Sequence, residues 1–183
     1  MVSQKRGRLT EEPRPRRNSF SDDWDVFVDH VRMEIQACIN LPKERKKSPY
    51  FAPSAVLKRE VYDFVHRWRG KVSDSQIQEA IDVGRKLRER SKKPSARKDL
   101  RSITKSYKEE PFYWVLLGLS GAVYIGEFEI KQPDVSRYAL QLNYAERHHV
   151  PTHYLVGFFH QIGGIAEVCR RARRVQQREE WHP

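Results

Sequence analysis

The sequence predicts a mainly α-helical fold: a single domain of about seven helices over residues 21–183, preceded by a disordered basic arm over residues 1–20. Three observations lead there. Apolar residues recur at the spacing of one helical face in five separate stretches. Ser or Asp stands ahead of most of these stretches and Gly or Pro behind several of them, the residue types that start and stop helices. The length of 183 residues fits one domain with a core of its own, and nothing repeats at the ~20–50-residue period of a solenoid.

In the arm, Met1 to Arg17 is rich in arginine, is broken by Pro13 and Pro15, and lacks the apolar core of a signal peptide. Ser21 is expected to cap the first helix. Asp22, Asp23 and Asp25 fill its first turn, where carboxylates suit the positive end of the helix dipole, and Trp24, Phe27, Val28, Val31 and Ile35 share one face. Leu41 to Pro53 holds three prolines and the charge run Lys43 to Lys47, and reads as a loop. Ser54 opens a second helix striped by Leu57, Val61, Phe64, Val65 and Trp68 and closed by Gly70. Ser73 and Gln76 make a capping box for a third, striped by Ile77, Ala80, Ile81, Gly84 and Leu87.

Pro94 interrupts Lys92 to Lys98, the best internal linker and a candidate sub-boundary near residues 92–98. Phe112 to Ile130 stays open, with a lean toward helix. Glu109, Glu110 and Pro111 look like a helix start, while Ser120-Gly121 between β-prone runs could turn a short β-hairpin within 112–130. Asp134 then caps a helix with Val135, Tyr138, Ala139, Leu142 and Ala145 inward, and Pro151 breaks it. A short segment runs from Thr152 to Gln161. After Gly163-Gly164 a last helix carries Ile165, Val168, Cys169, Ala172 and Val175 along one face.

The formal net charge is +11, and it is clustered. Residues 18–40 carry −4, whereas residues 1–17 and 41–60 carry +4 each and residues 61–110 carry +6. From Arg85 to Lys108 only Glu89 and Asp99 oppose the cations, a local excess of nine. Charge of this density favours phosphate backbones or acidic surfaces without choosing between them. The two cysteines, Cys38 and Cys169, can neither staple a domain of this size nor hold a structural zinc by themselves. No apolar run reaches the ~20 residues of a membrane span. The expected setting is the cytoplasm, or the nucleus in a eukaryote, with no membrane contact.

The motifs that could carry chemistry are few. The break at His149-Val150-Pro151, with Ala145 before it and Leu155 after, has the outline of a helix-turn-helix. The second helix, however, offers Tyr154, Leu155, Val156, Phe158 and Phe159 where base-reading Arg, Asn or Gln would be needed, so two packed core helices are expected. His148, His149, His153 and His160 crowd together near Glu146 and Glu167, and histidines four apart on a helix can share zinc. Pro151 falls between His149 and His153, and no metalloprotease motif accompanies them, so surface or hydrogen-bonded histidines are expected over a metal site at His149, His153 and His160. Cys169 lies on an apolar face and reads as a small buried hydrophobe. Gly118, Gly121 and Gly126 form no phosphate-cradling pattern.

The expected function is therefore non-enzymatic and cofactor-free: a DNA- or RNA-binding accessory or regulatory protein that grips phosphate through clustered Lys and Arg. Its expected contacts are Arg85, Lys86, Arg88, Lys92, Lys93, Arg97, Lys98 and Arg101, with help from the arm and from Arg170, Arg171, Arg173 and Arg174. An interaction or inhibitor module docking on an acidic protein partner is the alternative. A metal-dependent hydrolase built on the histidine cluster is the third reading.

Overall fold

A computed structural model describes residues 20–73, 75–79, 82 and 107–173 of the chain. Helix α1 (Phe20–Ile39) buries the five residues its spacing marks, and Phe20, assigned to the arm by sequence, joins them. The Phe20 ring meets the edge of Trp68 at 5.5 Å and also packs on Trp24 and Phe64. Ser21 lies within this helix rather than ahead of it. The opposite face of α1 is acidic, with Asp22, Asp25 and Asp29 exposed.

The segment expected as a loop contains two helical turns, α2 (Lys43–Lys46) and a 3-10 turn (Pro49–Phe51). Pro42 precedes the first and Pro49 opens the second, because a φ fixed near −65° is ready-made for a helical start. The same effect moves the start of α3 (Pro53–Trp68): Pro53, not a capping Ser54, opens it, after Ala52. Helix α3 buries Leu57, Val61, Phe64 and Val65, and ends at Gly70, whose φ of 75° suits glycine. It lies against α1 with Phe27 and Phe64 stacked at 4.0 Å.

Helix α4 (residues 75–79) begins with the expected capping box. The Ser73 backbone N–H donates to Gln76 Oε1 at 3.0 Å and the Gln76 N–H donates to Ser73 Oγ at 3.4 Å. Ile77 is buried; Ala80, Ile81, Gly84, Leu87 and the 92–98 linker lie outside the described residues.

Between 111 and 130 the chain is helix first and hairpin after. Helix α5 (Pro111–Ala122) starts at its proline and runs through Ser120-Gly121, where the Ser120 hydroxyl donates to the Leu117 carbonyl at 2.7 Å. A two-stranded antiparallel hairpin follows, β1 (Tyr124–Ile125) on β2 (Phe128–Glu129), turning at Gly126 with φ 56°. Arg32 of α1 donates to the Ala122 carbonyl through Nε at 3.0 Å and Nη2 at 2.6 Å, satisfying the end of α5.

Helix α6 (Gln132–Arg147) starts two residues before Asp134, which acts from inside the first turn: its carboxylate accepts the Lys131 N–H at 3.3 Å. After Pro151 come a 3-10 turn (Thr152–Tyr154), α7 (Leu155–Gln161) and α8 (Gly164–Arg173). Val168, Cys169 and Ala172 of α8 are buried as expected, but Ile165 is exposed, and Val175 lies outside the described residues. Ile165 occupies the first turn of α8, short of where that helix reaches the core.

One contiguous core links residues from Phe20 to Ala172, so both sides of the 92–98 region share it. Helix α3 is its axis, packed by α1, α5, α6 and α7. The Tyr62 hydroxyl on α3 donates to the Val150 carbonyl at 2.9 Å and pins the break between α6 and α7. Side chains as large as Phe64, Phe112, Leu116 and Leu142 are fully buried, each contributing about 1.5–3 kcal/mol by leaving water. Among the described residues no helix is long and apolar enough to cross a membrane.

Candidate nucleic-acid interface

Most of the described arginines already have a carboxylate. Arg32 pairs with Asp29 at 2.9 Å, Arg67 with Asp63 at 2.8 Å and Arg59 with Glu60 at 2.9 Å. Arg69 pairs with Glu146 and Arg137 with Asp134. In the C-terminal basic run, Glu167 accepts from Arg170 Nε at 2.6 Å and from Arg171 Nε at 2.7 Å. These two guanidinium hydrogen bonds hold the Glu167 carboxyl down at about 2. One carboxylate thus serves two expected phosphate contacts, and Arg173 beside them is exposed. Arg147 reaches across from α6 to donate to the Ala172 carbonyl at 3.1 Å, bracing the end of α8.

Lys43, Arg45, Lys46 and Lys47 differ. All four are exposed, only Glu44 interrupts them, and none forms an ion pair among the described residues. They project from α2 because Pro42 and Pro49 bracket so short a helix that it buries no side chain. The adjoining 3-10 turn carries two exposed rings, Tyr50 at 47% and Phe51 at 40% exposure. This turn rests on α7, where a Cβ at Gly157 would come within 3.0 Å of the Tyr50 hydroxyl, so glycine is what allows the close approach. One turn back stands Tyr154, 44% exposed, its ring 4.2 Å from that of His153. Cations and rings therefore adjoin along α2 and the 3-10 turn that follows it.

Of the contacts expected from sequence, Arg85, Lys86, Arg88, Lys92, Lys93, Arg97, Lys98, Arg101 and Arg174 lie outside the described residues. The strip on α2 was present in the sequence as a charge run followed at once by two aromatics. What the sequence could not reveal was that the turn bearing these aromatics rests on α7.

His149, His153 and His160 are exposed, and among the described residues no three His, Cys, Asp or Glu side chains are placed to hold a metal ion. His149 occupies a turn with φ 53°, and His148 tilts against the rings of Tyr144 and Phe158 at 4.5 and 5.7 Å. The helix-turn-helix outline is a core element, since Ala145, Val150, Leu155, Phe158 and Phe159 are all buried.

Inside, a polar chain joins three helices. Lys58 Nζ on α3 donates to Gln141 Oε1 on α6 at 3.0 Å, and Gln141 Nε2 donates to the Cys169 sulfur on α8 at 3.4 Å. The ammonium sits 5.1 Å from the ring centres of both Tyr138 and Phe159. Burial without a carboxylate pushes Lys58 down to about 8.

Comparison with protein-family models, with curated proteins and with solved structures finds no match for this chain.

Proposed function

We propose that this protein is a non-enzymatic nucleic-acid-binding accessory or regulatory protein that grips the phosphate backbone through clustered Lys and Arg. The observation that carries the reading is the group Lys43, Arg45, Lys46 and Lys47: exposed cations without ion pairs on a molecule whose described arginines mostly have carboxylate partners. Unpaired, solvated cations release counterions from a polyanion at no cost in broken protein ion pairs. The net charge of +11 and the dense Arg85 to Lys108 run add to the same attraction.

The test is a titration of nuclease-treated protein against a labelled oligonucleotide at several salt concentrations. Engagement of about five to eight phosphates gives a slope of roughly −4 to −7 in log affinity against log salt. Changing Lys43, Arg45, Lys46 and Lys47 together to Gln makes that slope shallower by about three to four. High affinity with a slope near zero refutes an electrostatic grip.

A further inference from the structure

We propose that the strip formed by α2 and the following 3-10 turn binds single-stranded nucleic acid, with Lys43, Arg45, Lys46 and Lys47 on the phosphates and Tyr50 and Phe51 stacked on bases. This rests on the nucleic-acid reading above and specifies the form of strand.

Exposed aromatic rings are costly to leave in water, and here they are grouped. Seven large hydrophobic side chains are exposed among the described residues, and two of them, the neighbouring rings Tyr50 and Phe51, belong to this strip. The ring of Tyr50 is positioned rather than dangling, because its hydroxyl lies against the backbone of α7 at Gly157. The turn bearing Tyr50 and Phe51 is itself packed on α2, α3 and α7, so the rings sit on a firm base next to the cations.

The chemistry of the two strand forms decides between them. A duplex keeps its base faces stacked inside and offers outward only phosphates and groove edges, which would use the cations and leave the rings idle. A single strand offers both phosphates and open base faces, and it is recognised by a cationic track with aromatic platforms. Every base has a π-face, so such a surface accepts strands with little regard to sequence. Lys43 to Lys47 supply the track and Tyr50 and Phe51 supply the platforms.

The experiment compares single-stranded thymidine and uridine oligonucleotides of about twelve nucleotides with a mixed-sequence duplex of equal length, by fluorescence anisotropy on the full chain. The proposal expects both single strands to bind at least tenfold tighter than the duplex. The double variant Tyr50→Leu, Phe51→Leu keeps apolar bulk but removes the π-faces. It should lose tenfold or more of single-strand affinity while its duplex affinity and salt slope stay unchanged. A Tyr50→Phe variant keeps the ring and should bind like the parent, and circular dichroism shows whether each variant folds. Equal single-strand and duplex affinity, or a Leu variant that binds single strands normally, overturns the proposal while leaving the electrostatic reading intact. Absence of binding to any of the three probes at low salt overturns both.

Discussion

Lys58 is a buried cation whose ionisation bears on stability. It is 3% exposed, makes one hydrogen bond, to Gln141, and has no carboxylate partner among the described residues. Its folded value of about 8 lies below the ordinary 10.5, so across that interval the folded chain has released a proton that the unfolded chain still holds. Stability therefore rises with pH there, by about 1 kcal/mol between pH 7 and 9. The opposite sign belongs to Tyr62, Tyr107 and Tyr138, which burial pushes above their ordinary 10.0; the stability they supply is lost as pH climbs through the tyrosine range. Urea unfolding should thus show a midpoint that increases from pH 7 to 9 and falls again by pH 11. In Lys58→Met the initial rise should vanish; its persistence would place the titration elsewhere. Tyr62 and Tyr107 also differ from each other. The Tyr62 hydroxyl is bonded to Val150, while the Tyr107 hydroxyl is buried without a partner among the described residues. Tyr62→Phe should cost about 1 kcal/mol, whereas Tyr107→Phe should be neutral or gain up to about 1 kcal/mol, as thermal melts would show.

At the scale of elements, the joint between α1 and α5 depends on Arg32, whose guanidinium donates twice to the last carbonyl of α5. Arg32→Met should cost about 1–2 kcal/mol, and hydrogen exchange should quicken first in the hairpin that follows Ala122. Helices α1, α3 and α6 were legible in the sequence because each has one buried face, and a half-buried helix writes its period into the chain. Helix α5 was not. Its residues from Phe112 to Leu119 are almost all buried, so no polar face marks the turn of the helix and the run reads equally as strand. Starts misplaced at Ser54 and Asp134 share a cause: a proline one residue ahead had already fixed the first turn. The Ser73 and Gln76 box was legible because both of its hydrogen bonds are local.

For the whole molecule, charge was easy to read from sequence and adjacency was not. The run Lys43 to Lys47 is visible to anyone counting residues, but that the Tyr50 hydroxyl rests on α7 at Gly157 appears only in the folded chain. The Lys58, Gln141 and Cys169 chain is likewise a product of three helices meeting. Helix α1 adds a further property through where its acids lie. Asp22 and Asp25 are exposed near its start, while the α2 cations follow its end, which at 1.5 Å per residue puts roughly 20 Å between anionic and cationic regions. That is about twice the screening length in 0.1 M salt, so the two ends do not neutralise each other. Among the described residues the surface is thus anionic where α1 starts and cationic past where it ends. In the absence of nucleic acid and at low ionic strength, the anionic region of one copy should meet the cationic region of the next, an open head-to-tail contact that does not close on itself. Light scattering should then rise as salt is dialysed away and fall when salt or an oligonucleotide is added, since both compete for the same cations. Scattering that ignores salt would show that these regions do not find each other.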